Sequence, residues 1–97
     1  LVDVVKLVDL TEGAHIEREL MLIKVKALGA QRVEIARTVD IFRGQIVDLT
    51  SSAFTIQITG AGEKLDAFIA ALGEIVVLEV ARTGVSGIAR GDKTLAL

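Results

Sequence analysis

The side chains in this 97-residue chain that could do chemistry are few and scattered. His15 is the single histidine, and there is no cysteine. A lone imidazole without thiols or a second histidine cannot build a zinc-type site, so no metal is expected. The run Gly60-Ala61-Gly62-Glu63-Lys64 has the residue types of a phosphate cradle, but such a loop needs G-x-x-x-x-G-K-[ST]. A strand-to-helix turn accounts for both glycines. No nucleophile–base pair is legible, so the chain is not expected to be an enzyme on its own. What remains is charge beside turns: Glu17, Arg18, Glu19, Arg43, Arg82 and Arg90. These six read either as solvated surface or as the polar rim of an oligomer or subunit interface.

Composition narrows the partners. The chain carries 11 basic and 13 acidic residues for a net charge of -2, with no basic face to attract nucleic acid or an anionic membrane. Apolar residues make up 52% and mean hydropathy is +0.58. That is high for one small domain, whose surface must then keep more apolar area than a soluble monomer tolerates, so a homodimer or higher homo-oligomer is expected. No signal peptide or run of about 20 apolar residues is present. With no cysteine, a cytoplasmic protein is the default.

The elements that must position the charges follow from periodicity. Residues 2–8 hold Val2, Val4, Val5, Leu7 and Val8, a β-branched run of strand length. After the polar break 12–15, residues 20–28 alternate, with Met21, Ile23, Val25 and Ala27 on one face and Leu20, Leu22, Lys24 and Lys26 on the other. Gly29 breaks this strand. Residues 30–42 take helical spacing, with Ile35, Ala36, Val39 and Phe42 on one stripe and Arg32, Arg37 and Asp40 away from it. Gly44 is placed to supply the left-handed C-terminal cap.

Two strands follow at 45–50 and 53–59, joined by a short hairpin-type turn. In the second, Phe54, Ile56 and Ile58 point one way and Thr55, Gln57 and Thr59 the other. A second helix places Leu65, Phe68, Ile69 and Leu72 at i, i+3, i+4 and i+7 and ends at Gly73. Residues 75–81 form a last strand, apolar except for Glu79. The tail 84–97 shows no strong period.

From Glu19 onward the order is β-α-β-β-α-β, a ferredoxin-like (ACT-like) α+β sandwich with both helices on one face. Right-handed crossovers put the first and third strands in the middle. The apolar run 75–81 reads instead as a strand covered on both faces, which at a sheet edge requires a partner; both possibilities stay open. The fold alone does not assign a function. An acylphosphatase-type enzyme needs an asparagine, and this chain has none. An RNA-recognition module needs exposed sheet aromatics, whereas Phe42, Phe54 and Phe68 are accounted for by core packing.

Four segments carry a family resemblance: GAHIERELMLIKV at 13–25, FRGQIVD at 42–48, GEKLDAF at 62–68 and EVARTGVSGIARGDK at 79–93. In that order they resemble the small, regulatory subunit of acetolactate synthase, also called acetohydroxyacid synthase. The resemblance implies an N-terminal ACT domain followed by a second ferredoxin-like domain. On that footing residues 1–11 are the last strand of a truncated ACT domain, 12–18 a linker, 19–83 the C-terminal domain and 84–97 a tail.

It also implies a non-catalytic partner that activates a large subunit carrying thiamine diphosphate, magnesium and FAD and confers valine feedback in branched-chain amino acid synthesis. The effector loop of that family, with its glycine and asparagine, has no counterpart here. No effector-binding residue is therefore carried over, and the chain itself is expected to hold no cofactor. The competing expectation is a free-standing ACT-like small-molecule sensor or dimerisation module.

Overall fold

The computed structural model describes residues 15–92; the strand and lost-domain reading of residues 1–11 lies outside them. Seven elements follow in order: β1 (His15–Lys26), α1 (Gln31–Ile41), β2 (Gln45–Leu49), β3 (Ala53–Gly60), α2 (Gly62–Ala71), β4 (Val77–Arg82) and β5 (Ser86–Ala89). The sheet is antiparallel in the order β2-β3-β1-β4, with β5 also pairing β1. This is the ferredoxin-like arrangement, with β1 and β3 central as the crossover rule requires.

Strict alternation makes the core. Met21, Ile23 and Val25 of β1, Ala27 just beyond it, and Phe54, Ile56 and Ile58 of β3 are buried against Ile35 and Val39 of α1, Leu65 and Phe68 of α2, and Leu72 at the C-cap of α2. In register these are cross-strand pairs, Ile23 with Ile56 and Val25 with Phe54, so two strands present one continuous apolar surface to two helical stripes. Phe68 is fully buried and meets Phe42 edge to face, with ring centroids 5.4 Å apart.

The ends of α1 are held by contacts that its periodicity does not reveal. Arg32, placed away from the apolar stripe, lies over the Phe54 ring at 4.4 Å and donates to the carbonyls of Ala27 and Ser51. At the other end the left-handed residue is Arg43, with φ +57°, and not Gly44. Arg43 N–H bonds to Asp40 O and Gly44 N–H to Val39 O, the paired bonds of a left-handed cap. Gly44 is needed for space: a Cβ there would stand 2.6 Å from Ile58 Cγ1 and 3.1 Å from Gln57 O. Between β2 and β3, Thr50 Oγ1 accepts the N–H groups of Ser52 and Ala53 and closes the turn.

Two readings of the sequence are corrected, and one that stood open is decided. β1 starts at His15, four residues before Glu19, because β5 supplies a partner for His15 to Arg18. The tail is likewise not structureless, since Ser86–Ala89 is that partner. Finally, the apolar last strand is an edge: all six residues of β4 are exposed. Neither helix spreads far enough sideways to cover it, and among the described strands only β1 pairs with it.

Phe68→Ala should destabilise the fold by about 3–5 kcal/mol as a core truncation. A chemical denaturation curve showing a loss below about 1 kcal/mol would mean that Phe68 does not anchor the helix layer.

Candidate functional site

β1 is long enough to pair with two successive strands on one edge, β4 at Met21 to Val25 and β5 at His15 to Arg18. The partner line is broken at residues 83–85, where Gly84 takes φ +84°. A two-stranded extension is marginal in water by itself, so something must hold the break together. That device is a charged cluster. Glu19 is 7% exposed, and its carboxylate accepts two bonds from Arg82, Nε to Oε2 at 2.9 Å and Nη2 to Oε1 at 2.8 Å. Arg82 Nη1 also donates to Asp66 Oδ1 of α2 at 2.6 Å.

Backbone completes the cluster. Gly84 N–H reaches Glu19 Oε2 at 3.3 Å, Thr83 N–H donates to Leu20 O at 3.0 Å, and Leu20 N–H donates to Thr83 Oγ1 at 3.1 Å. The Arg82 bonds hold the Glu19 carboxyl below its ordinary range against the opposing effect of burial, with the Arg82 charge and Gly84 N–H adding to the lowering. Hydrogen bonds to Glu19 and Asp66 raise the guanidinium above its ordinary value, so Arg82 stays charged at any working pH.

The other predicted charges are distributed by the same strand. His15 Nε2 lies 3.1 Å from Glu17 Oε2, Arg18 Nη1 donates to Glu17 O at 2.7 Å, and Arg90 Nε donates to His15 O at 3.2 Å. Glu17, Arg18 and Arg90 therefore gather on the β1–β5 extension, while Glu19 and Arg82 form the clasp beneath it. Arg43 stands apart at the end of α1. Asp66, Thr83 and Gly84 join the cluster without having been singled out, and spacing could not find them: Glu19 and Arg82 are 63 residues apart in sequence.

No described element covers the sheet face opposite the helices. Lys24 pairs there with Glu79 at 3.2 Å, and a depression of about 260 Å³ lies among Leu22, Lys24, Asp48, Thr55, Glu79 and Ala81. The glycine turn before α2 is a packing device. Lys64 Nζ folds back to Thr59 O at 3.0 Å, and its stem fills the space that a Cβ on Gly60 would need. Among the described residues no group of three or more acidic or imidazole side chains converges as metal ligands, and no helix is long and apolar enough to cross a membrane.

These features define a ferredoxin-like α+β domain whose charges knit strands together and whose sheet, among the described residues, has an uncovered face and edge. A family model described as the small subunit of acetolactate synthase matches residues 18–91, the interval that contains both the clasp and the β5 extension. The acetolactate synthase small subunit of Haemophilus influenzae is 53% identical over 96 residues, covering 98% of this chain and 59% of that protein. The isozyme 3 small subunit of Salmonella typhimurium is 50% identical with the same coverage. A crystal structure of the small subunit from Thermotoga maritima superposes with a TM-score of 0.76 at 41% identity, over 82% of this chain and 49% of that one. The chain belongs to the acetolactate synthase small-subunit family. It spans 59% of the length of these two bacterial relatives.

The clasp has a signed pH dependence. A carboxylate with a lowered folded-state value contributes stability that is fully present above the ordinary 4.5 and is lost as pH falls through the lowered value. Urea midpoints measured from pH 7 downward should therefore fall more steeply below that point in the parent chain than in Glu19→Gln. Parallel curves would show that Glu19 does not carry the acid sensitivity.

Proposed function

We propose that this chain is part of the non-catalytic regulatory subunit of acetolactate synthase. In this role it assembles with itself, docks on the catalytic large subunit and raises the activity of that subunit. The match to the small-subunit family across residues 18–91 carries the reading. The site chemistry supports it: charged groups are spent on holding strands, Glu19 to Arg82 and Lys24 to Glu79, while a sheet face and edge are left to partners. Thiamine diphosphate, magnesium and FAD belong on this reading to the large subunit. Valine feedback belongs to the part of the relatives that this chain does not span, because the chain has no asparagine for an effector loop.

Mixing the chain with the large subunit from the same source should raise acetolactate formation, and the two should co-elute in size-exclusion chromatography. No change in rate together with separate elution would sink the proposal. Titrating the chain alone with valine in a calorimeter should give no saturable heat at sub-millimolar concentration; tight binding would move the effector site into this domain.

A further inference from the structure

Residues 15–18 and 86–89 stand outside everything that stabilises the body of the sheet. β3 pairs with β1 from Glu19 onward, so His15 to Arg18 have β5 as their one strand neighbour among the described residues. None of these side chains is buried, and none belongs to the apolar core. A two-stranded ribbon of this kind is marginal in water, and a segment with few buried apolar contacts opens at a lower free energy than the core. Composition pushes the same way. Gly84, Gly87 and Gly91 follow one another closely, and a glycine recovers more backbone freedom on release than any other residue.

What opposes opening is concentrated where the ribbon meets the body. Glu19 is the residue at which pairing with β3 ends. Its carboxylate is held by Arg82 at 2.8 and 2.9 Å and accepts the Gly84 N–H at 3.3 Å, so one buried anion grips the first residue of the turn into β5. Hydrogen bonds to an ionised acceptor are the stronger kind. Further out, the ribbon's side chains reach exposed backbone: Arg18 donates to Glu17 O and Arg90 to His15 O.

We propose that the β1–β5 ribbon is a two-state joint, latched by Glu19, through which residues 1–14 meet the sheet. While it is closed, the chain enters at His15 already in line with β1, and its direction is fixed by pairing to Ser86–Ala89. When it opens, the Gly84 N–H leaves Glu19, Ser86–Ala89 depart, and residues 15–18 become a free tether. The body is kept, because Arg82 remains tied to Glu19 and to Asp66 of α2 and the core takes nothing from the ribbon. A ligand or partner that contacts one state alone moves the joint towards it by its differential affinity. On the proposed regulatory role, the domain thus has a rigid and a loose way of carrying the segment ahead of it. The joint rests on that role for its use and not for its existence, and it can fail while docking to the large subunit stands.

Native-state amide exchange of the chain at pH 7, in water and in low urea, separates the two states. The inter-strand amides of 15–18 and 86–89 should exchange together, at least about tenfold faster than those of Ile23 and Ile56, and with little dependence on urea, whereas the core amides should depend on it steeply. Glu19→Gln should speed ribbon exchange by about tenfold, as expected for loss of a charged acceptor. Glu79→Gln, which removes the exposed pair with Lys24 from the same two body strands, should change it by less than about threefold. Because the chain has no cysteine, the joint can also be locked. Ile16 lies opposite Ile88, so the oxidised double variant Ile16→Cys, Ile88→Cys should slow ribbon exchange to the core rate, and reduction should restore the fast rate. Ribbon amides exchanging at the core rate in the parent chain, unaltered ribbon exchange in Glu19→Gln, or fast exchange persisting in the oxidised double variant would each overturn the proposal.

Discussion

Everything in this domain hangs on β1. It is twelve residues long, pairs with β3 along one edge and with β4 and then β5 along the other, and contributes three buried side chains to the core, Met21, Ile23 and Val25. Because successive residues of a strand face opposite ways, one strand builds both the helix-facing core and the open face that carries Leu22 and Lys24. A one-residue slip would turn Met21, Ile23 and Val25 out to water and bring Lys24 in. The apolar alternation fixes the register within the body of the sheet. Beyond the body, where β3 and the helices end, Glu19 takes over.

The clasp follows from that geometry. Where β4 gives way to β5, the chain turns through Thr83 and Gly84, and β1 needs a new partner within three residues. A buried carboxylate bridging Arg82 and the Gly84 N–H spans the gap, and Asp66 ties Arg82 to α2. A buried ion pair of this type is a weak source of net stability, because desolvation offsets much of the attraction. Its geometric consequence is firmer: two opposed carboxylates and a bidentate guanidinium define where the β5 extension leaves the body, as two apolar side chains of equal volume would not.

The order of the elements, the inward faces of β1 and β3 and the stripes of both helices were legible because each depends on a local period. Met21, Ile23, Phe54, Ile56, Ile35 and Leu65 could be placed from spacing alone. What escaped depends on partners distant in sequence. Glu19 and Arg82 were visible only as charges beside turns, and their pairing is a consequence of β1 and β4 lying side by side. β5 was missed because Ile88 is a single strand former among Ser86, Gly87 and Ala89, too short a run to show a period, and the segment is extended through pairing to His15 to Arg18. Gly44 was assigned to the wrong role for a related reason. Local rules favour glycine in the left-handed position, but contact with Ile58 decides where glycine must stand, and Arg43 accepts the unfavourable φ beside it.

The disagreement over β4 is of another kind. Its sequence describes a covered strand and its place in the sheet an open one, and both statements are physically sound. A fold of two helices on four strands cannot cover all strands equally: both helices lie towards β2, β3 and β1, leaving the last strand outside the helix layer. An isolated domain under selection for solubility would place charge at Val76, Leu78 or Val80. Retaining valine and leucine there, while Glu79 is neutralised along the sheet by Lys24, keeps the strand apolar where an added strand would lie. The clasp stands at the C-terminal end of the same strand, so Arg82 belongs at once to the β5 extension and to the open edge. One guanidinium therefore fixes both where β4 ends against α2, through Asp66, and where β5 departs, through Glu19.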